Sequence, residues 1–453
     1  MKNIKSIASY ALLICATSLF LINHAQAGIA IEHWTSPGGV QVYLVPSPAI
    51  PMLDVQIDFD AGSRRDPPQQ AGLASVTARM LAKGVRANPA RQEPALDENA
   101  LGEAWADLGA SFGASASSDR ISFALRTLSY PDLLAKAVQL AARQLAEPSF
   151  PPDIWQRERD SLKASLKEAN TRPATLAARA FAKAVYGDHP YGYEMTEATL
   201  SRLEVADMAA LHRQMVQACR ASVTLVGAVT RPQADALVQE LFARLSSSKQ
   251  AGCAALPKVA EVAALEQASE QRIVFDSAQA QVLLGQPGFK RDDPDYFALT
   301  VGNYILGGGG FVSRLTEQVR ERRGLSYSVF SNFAPGLHAG AFAISLQTRP
   351  DQADQALQVA REVLARFVAD GPTAPELQAA KDNLIGGFAL RIDSNRKLLD
   401  NVANMAWNNL PLDYLDTWTQ QVEGVTAAQI RAAFARKLQP QRMATVVLGG
   451  ATK

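Results

Sequence analysis

Three side chains on one face of a predicted helix occupy positions at which other residue types would bind a metal. The segment Gly72–Gly84 has apolar residues at helical spacing and ends on a glycine, which is typical of an amphipathic helix. Ser75, Ala78 and Arg79 stand at i, i+3 and i+4 and therefore share a face. His, Glu and His at these offsets, the pattern H-x-x-E-H, would bind zinc and activate water. Serine and alanine lack such donors and arginine is a permanent cation, so we interpret the helix as structural.

A run of four glycines is the second candidate for chemistry. Gly307, Gly308, Gly309 and Gly310 lie between two predicted helices, where their backbone N–H groups could approach a ligand closely. The absence of G-K-[ST] and of a preceding strand argues against a phosphate loop, and the G-x-G-x-x-G spacing of a dinucleotide site is missing. A substrate-binding loop and a helix C-cap followed by a tight turn both stay open.

The first 27 residues have the form of a secretory signal peptide. A basic start precedes an apolar stretch, and Ala25–Ala27 is a small-x-small cleavage site. Neither this stretch nor any later one is long enough to be a permanent membrane span, so the mature chain is expected to have none. We expect cleavage after Ala27 and a periplasmic location.

Charge and length restrict the function further. The 453 residues carry a formal net charge of +1, which becomes −1 once Lys2 and Lys5 leave with the signal peptide. This balance gives no support to nucleic-acid binding or to an anionic membrane as partner. A chain of this length is expected to form two or more domains.

Cysteines and histidines indicate no local metal site. Cys219 and Cys253 could form one bridge in an oxidising compartment, but two isolated thiols are favoured because nothing in the sequence shows that they are close. No two histidines after residue 27 lie three to five residues apart, the spacing of a local zinc pair. These histidines are His33, His189, His212 and His338.

The chain is duplicated. Three pairs of segments match in the same order, at offsets of roughly 219 to 226 residues, and a repeat of this length predicts two similar domains. The matched pairs are Ala221–Thr230 with Met443–Thr452, Arg64–Ala74 with Lys290–Thr300, and Tyr130–Phe150 with Arg349–Asp370.

Strands early and helices late in each half predict the α+β class. We predict two homologous domains, each a mainly antiparallel sheet with helices packed on one face, joined by a linker into a clamshell. The predicted segments are a signal peptide 1–27, an N-terminal domain 28–245, a linker 246–270 and a C-terminal domain 271–453. The strand predicted within Gln279–Phe289 could pair with an extended peptide or be an ordinary sheet strand.

Long ordered stretches resemble the pitrilysin/insulinase peptidase family, and within it the processing-peptidase-like members. They are Phe59–Ala74 and Tyr304–Phe333, with the tetrapeptide His189–Gly192 as a weaker marker. The resemblance covers nearly the whole chain after residue 27.

The resemblance implies which positions would carry zinc chemistry. In active members, the opening helix supplies two histidine ligands and the glutamate base, and a later helix supplies a third ligand, a glutamate. The aligned positions here hold Ser75, Ala78, Arg79 and Ser165. We therefore expect no cofactor in this chain.

The resemblance also implies a substrate-contacting pair in the second half. The family carries an arginine and a tyrosine seven positions apart, and Arg320 and Tyr327 match that spacing on a helix predicted over Val312–Arg323 and on the strand after it. A guanidinium and a phenol both donate hydrogen bonds to a carbonyl or an oxyanion. The nearby alternatives are Arg314, Arg322 and Arg323.

The resulting hypothesis is a non-catalytic subunit of a secreted, zinc-dependent heterodimeric peptidase, inactive alone. A homologous partner would hold the zinc, and this chain would contribute peptide binding and the Arg320/Tyr327 pair. The alternative is a structural or peptide-binding protein with no role in proteolysis. A free-standing peptidase with unusual chemistry ranks lowest, because no Ser-His-Asp or Cys-His cluster is apparent.

Export generates the first testable prediction. Because the cleavage site follows Ala27, N-terminal sequencing of the periplasmic fraction should begin at Gly28. Recovery of the protein from the cytoplasm with Met1 in place would contradict this prediction.

Overall fold

The computed structural model describes residues 28–245 and 253–450, so the predicted signal peptide and the first part of the predicted linker lie outside the described residues. The chain from Ile31 onward forms one compact unit. Within the described residues, no helix combines the length and the apolar character needed to cross a bilayer.

The first half builds a six-stranded sheet with the order β1-β2-β8-β3-β7-β6, in which only the β2/β8 pair is parallel. Its strands, with a two-stranded β4/β5 ribbon, are β1 Glu32–Thr35, β2 Gln41–Pro46, β3 Met52–Phe59, β4 Gly84–Val85, β5 Leu96–Asp97, β6 Ser111–Ala116, β7 Ile121–Leu128 and β8 Ala221–Gly227. Its helices are α1 Leu73–Met80, α2 Glu98–Asp107, α3 Pro131–Ala146, α4 Pro152–Ala169, α5 Pro173–Tyr186, α6 Glu197–Arg202, α7 Val205–Met215 and α8 Arg231–Phe242.

The second half repeats this topology in a five-stranded sheet with the order β11-β12-β10-β13-β9 and one parallel pair, β13/β9. Its strands are β9 Ser269–Ile273, β10 Ala280–Pro287, β11 Ser328–Phe333, β12 Ala341–Thr348 and β13 Ala444–Leu448. Its α-helices are α9 Tyr296–Asn303, α10 Ala353–Asp370, α11 Ala374–Gly386, α12 Asn395–Trp407, α13 Tyr414–Glu423 and α14 Ala427–Lys437. The matching strand order confirms the duplication and the α+β class.

The two halves exchange one helix each. Helix α5 of the first half packs on β10 and β13 of the second sheet, and α12 of the second half packs on β2, β3 and β8 of the first sheet. Phe181 of α5 lies in an apolar cluster with Ala343 and Val446, apart from the main core of the second half. A Cβ at Gly285 would approach the Phe181 ring to 2.8 Å, so glycine at this position makes room for the ring. Each sheet therefore has helices of its own half on one face and a helix of the other half on the opposite face.

Of the two alternatives left open for the strand within Gln279–Phe289, the structure shows the ordinary sheet strand. Strand β10 pairs with β12 on one side and with β13 on the other, so its backbone has no free edge. The edge strands of the second sheet are β9 and β11.

The segment that joins the halves is held against both of them. Residues 253–268 form neither helix nor strand. Arg65 donates to the Pro257 carbonyl at 3.0 Å, and Glu261 pairs with His338 of the second half at 3.1 Å. The first described residue of this joining segment, Cys253, is fixed covalently, because it forms a disulfide with Cys219. The preference for two isolated thiols is thus wrong, since the fold brings together two residues 34 positions apart.

Reduction of this disulfide is expected to destabilise the protein. Closing a loop of this length limits the unfolded chain and typically contributes about 2–4 kcal/mol. The melting temperature measured by calorimetry should fall when dithiothreitol is added. The Cys219→Ser/Cys253→Ser double variant is the control, and its lower melting temperature should not respond to the reductant. An unchanged wild-type transition, with two titratable thiols in denaturant before reduction, would refute the bridge.

Candidate functional site

Helix α1 is fixed at its start by a buried carboxylate. The backbone N–H groups of Gly72 and Ala74 donate to Asp66 at 2.9 and 3.0 Å. Burial raises the pKa of Asp66 to about 6, although these backbone hydrogen bonds act in the opposite direction. Gly72 has φ of +103°, a conformation that glycine adopts at little cost. The frame of the helix is therefore set by groups other than its three candidate zinc positions.

The helix turns two of those three positions outward. Ser75 is exposed and the Arg79 side chain is 47% exposed, whereas Ala78 is buried with the core-facing residues. Arg79 Nε donates to Glu158 Oε2 of α4 at 2.5 Å. Lys83 approaches Glu158 Oε1 at 3.0 Å and also pairs with Glu98. At the place where the family resemblance implies a metal, this chain has an ion-pair cluster.

Two cations set the protonation state of Glu158. Burial raises the pKa of its carboxyl, but hydrogen bonds from Lys83 and Arg79 outweigh burial and hold the pKa at about 2. The carboxylate is thus charged at neutral pH and is neutralised within the protein. A partly buried carboxylate needs such a counter-charge, because an unpaired buried charge is strongly destabilising.

The alignment of the third ligand on Ser165 is wrong by geometry. Ser165 is exposed, lies seven residues beyond Glu158 on α4, and donates its hydroxyl to the Ser161 carbonyl. Seven residues correspond to about 10 Å along a helix axis, too far to reach a ligand shared with α1. Glu158 is the α4 residue that contacts Arg79. A signal existed in the sequence, since Glu158 stands three residues after Trp155 and four before Leu162, on the apolar stripe of its helix.

In the second half, the helix predicted over Val312–Arg323 contains one wide turn, and a second wide turn precedes it. Tyr304–Gly308 and Thr316–Glu321 are π-helical, and a short 3₁₀ turn, Gly310–Val312, lies between them. Wide turns of this kind are rare and often occur at functional sites. Arg320 is on the second π turn.

Different structural constraints apply to the four glycines of the run. A Cβ at Gly307 would lie 2.5 Å from the Ser331 backbone nitrogen, and one at Gly309 would lie 2.7 Å from the Tyr304 carbonyl oxygen, so these two glycines permit close packing. Gly310 has φ of +61° and open space around its Cα, and Gly308 is exposed. Close packing explains Gly307 and Gly309, while the backbone of Gly308 and Gly310 faces the outside. A role of the run in substrate binding stays a prediction.

The structure brings Arg320 and Tyr327 into contact. Arg320 donates to the Tyr327 carbonyl at 3.2 Å, and its guanidinium lies 4.6 Å from the Tyr327 ring centroid and 4.6 Å from that of Phe311. Tyr327 is 80% exposed and precedes β11, whereas Val329 of that strand is buried. Arg320 also pairs through Nε with Glu321 Oε1 at 3.1 Å, and its side chain is 27% exposed. Stacking between two rings orients the guanidinium, which keeps N–H groups that neither contact uses, and the Tyr327 hydroxyl is a further donor.

The three alternative arginines have other partners. Arg314 makes a two-pronged ion pair with Glu376 and also donates to a backbone carbonyl. Arg322 pairs with Glu317, and Arg323 donates to Gln318. Among these arginines, Arg320 is the one that stacks on Tyr327.

Exposed apolar side chains surround the pair, which sequence reasoning did not single out. Phe311 and Val312 follow the glycine run and are 70% and 72% exposed, and Phe330 of β11 is 46% exposed. Aromatic groups next to donors are common in peptide-binding surfaces. For Phe311 and Val312, the position directly after four glycines was the signal available in the sequence.

The described ranges 28–245 and 253–450 contain no group of three or more His, Cys, Asp or Glu side chains placed to hold a metal ion. At the α1/α4 position, the carboxylates of Glu158 and Glu98 are paired with three cations, Arg79, Lys83 and Arg157. These two paired carboxylates and the Ser75 hydroxyl do not fit zinc.

Known proteins share this fold and sequence pattern. A family model described as "Insulinase (Peptidase family M16)" matches residues 42–199, and one described as "Peptidase M16 inactive domain" matches residues 202–384. A solved structure from Pseudomonas fluorescens, described as a peptidase M16 inactive domain, is 34% identical, with a TM-score of 0.86 over 94% of this chain and 99% of that chain.

Two curated relatives bear different names. An uncharacterized zinc protease of Mycobacterium leprae is 27% identical over 92% of this chain and 91% of its own length. A non-peptidase homolog of Helicobacter pylori is 24% identical over 89% of this chain and 90% of its own length.

The assignment of Glu158 can be tested by rebuilding a zinc site. Ser75→His/Ala78→Glu/Arg79→His places two imidazoles and a base on α1, opposite Glu158 as the third ligand. We expect this variant to bind one zinc ion in a titration against a chromophoric chelator. Adding Glu158→Gln should weaken zinc binding at least about tenfold. Even the loss of a residue that only hydrogen-bonds to a metal ligand commonly lowers metal affinity by that factor.

The matched control is Ser165→Ala in the rebuilt background, which should leave the zinc affinity unchanged. A loss of affinity with Ser165→Ala, together with none for Glu158→Gln, would restore the alignment on Ser165.

Proposed function

Because the chain belongs to the insulinase (M16) peptidase family, we propose that it is a non-catalytic subunit of a secreted, zinc-dependent heterodimeric peptidase. One contrast between the halves carries this proposal. The first half has Arg79 paired with Glu158 where active members would bind zinc. The second half keeps Arg320 stacked on Tyr327, which is 80% exposed.

The pair suits peptide binding near a reacting carbonyl. Arg320 provides a permanent positive charge with several N–H donors, and Tyr327 provides a hydroxyl on an 80% exposed side chain. Donors that are already oriented stabilise developing negative charge without further reorganisation. Gly308 and Gly310 present backbone at the end of the same segment, which supports a role of the run Gly307–Gly310 in holding the peptide chain.

A partner must supply the remaining chemistry. Ala78 cannot act as a base, and Arg79 would repel a metal at the α1/α4 position. The partner we propose is a homologous chain with an intact H-x-x-E-H helix, which would hold the zinc and activate the water. The predicted signal peptide places the assembly in the periplasm. The match to a family model described as an inactive domain supports the non-catalytic assignment.

A second candidate function is peptide binding without proteolysis. The exposed aromatic side chains Phe311, Tyr327 and Phe330 favour it, since they could bind a peptide without any zinc-bearing partner. The two functions differ in one observable, the hydrolysis of peptide after a metal-bearing homologue has been added.

Arg320 and Tyr327 are expected to act in the reconstituted complex. A charge-assisted hydrogen bond contributes about 1.5–3 kcal/mol, so Arg320→Ala should lower kcat/KM by roughly 10- to 150-fold. Tyr327→Phe removes only the hydroxyl and should cause a smaller loss. If both donors serve one oxygen, the double variant should lose less than the sum of the single losses.

Arg323→Ala is the matched control, because Arg323 is an exposed arginine three residues away whose hydrogen bonds go to Gln318. It should retain full activity, and subunit association should be the same for all variants. If Arg320→Ala and Tyr327→Phe assemble and retain full kcat/KM, the pair has no catalytic role and peptide binding without proteolysis becomes the better proposal.

A further inference from the structure

A small cavity lies between the exchanged helix α5 and the second sheet. Its volume is about 220 Å³. Helix α5 contributes Ala174, Ala177 and Ala178, and the sheet contributes Leu283 of β10 together with Ser328 and Phe330 of β11. The cavity therefore exists only because a helix of the first half crosses to the second sheet.

The lining determines what the cavity can hold. Among the described residues, no charged side chain lines it. The alanine methyl groups, Leu283 and Phe330 make most of its wall apolar, and the polar side chains of Gln281, Ser345 and Gln347 complete it. Pockets for small-molecule ligands usually measure about 300–1,000 Å³, so this cavity is too small for such a ligand. Its volume suits one large apolar side chain. Phe330 is 46% exposed and would lose contact with water if such a side chain entered.

The cavity is next to the Arg320/Tyr327 pair. Ser328, which lines it, directly follows Tyr327 in the chain. The outer edge of β11 is covered, because Gly307 packs on the Ser331 nitrogen and Asn303 donates to the Ser331 carbonyl at 3.1 Å. An extended peptide held by the pair therefore cannot add to this edge as a further strand. It can cross the end of the strand and direct one side chain onto the sheet face, where the cavity opens.

We propose that this cavity binds an apolar side chain, such as leucine, of the peptide held by Arg320 and Tyr327. The inference rests on the proposed function, since the same peptide contacts both sites. It assigns side-chain preference to this non-catalytic chain. Ala178 and Phe330 then determine specificity, while Arg320 and Tyr327 contact the peptide backbone regardless of sequence.

The test uses the full chain and two probe peptides, acetyl-Gly-Gly-Leu-Gly-Gly-amide and its Ser analogue. Saturation-transfer NMR reports which probe protons contact the protein, and a titration gives Kd. Wild-type protein should saturate the leucine methyl groups and bind the Leu probe at least about tenfold more tightly than the Ser probe. Ala178→Leu fills the cavity from an exposed position on a helix, where leucine is well tolerated. It should remove this preference.

Two further variants separate the possible failures. Ala164→Leu, at an exposed position on α4 outside the cavity, should keep the preference and serves as the matched control. Arg320→Ala should weaken both probes equally and leave their ratio unchanged. The cavity assignment would be overturned if wild-type protein bound both probes equally or bound neither. It would also be overturned if the Ala178→Leu variant kept the preference for the Leu probe. An Arg320→Ala variant without effect, beside a cavity-dependent preference, would instead count against the proposed function.

Discussion

Each β-sheet has two faces to bury, and this requirement holds the two halves of the protein together. Helices of the same half cover one face, and a single helix from the other half covers the opposite face. Apolar burial contributes about 25 cal/mol per Å², so neither sheet is complete without its neighbour. The exchange also produces the cavity beside Tyr327, because the first-half helix that covers the second sheet carries small side chains at one end. Stability and the proposed specificity thus depend on the same contact.

In the first half, an ion-pair cluster joins helices α1 and α4. Glu158 still points at α1, and Arg79 together with Lys83 supplies the positive charge that this carboxylate requires. The positive charges of Arg79 and Lys83 balance the negative charge of Glu158. Without a cation, a carboxylate at this degree of burial would destabilise the fold. The fold of α1 does not depend on a metal, because Asp66 fixes the start of the helix.

The second half uses unusual backbone geometry to present two side chains. The π turns together with Gly307 and Gly309 allow the glycine-rich segment to pack tightly on β11. This packing protects β11, an edge strand, from pairing with other chains. On the outer side, the Arg320 guanidinium lies 4.6 Å from the ring centroids of Phe311 and Tyr327, and the Arg320 side chain is 27% exposed. Protecting the edge and orienting the donors are two consequences of one local arrangement.

Features carried by local sequence patterns were predictable from the sequence. The duplication, the α+β class, the amphipathic helix around Ser75 and the seven-residue spacing of Arg320 and Tyr327 all follow from periodicity, repeats or resemblance. Contacts between distant residues were not, because periodicity carries no information about which elements become neighbours. Only the tertiary structure joined Cys219 to Cys253 and chose Glu158 over Ser165 as the partner of α1. It also placed β10 at the centre of its sheet and moved α5 to the second half, since pairing and burial decide both.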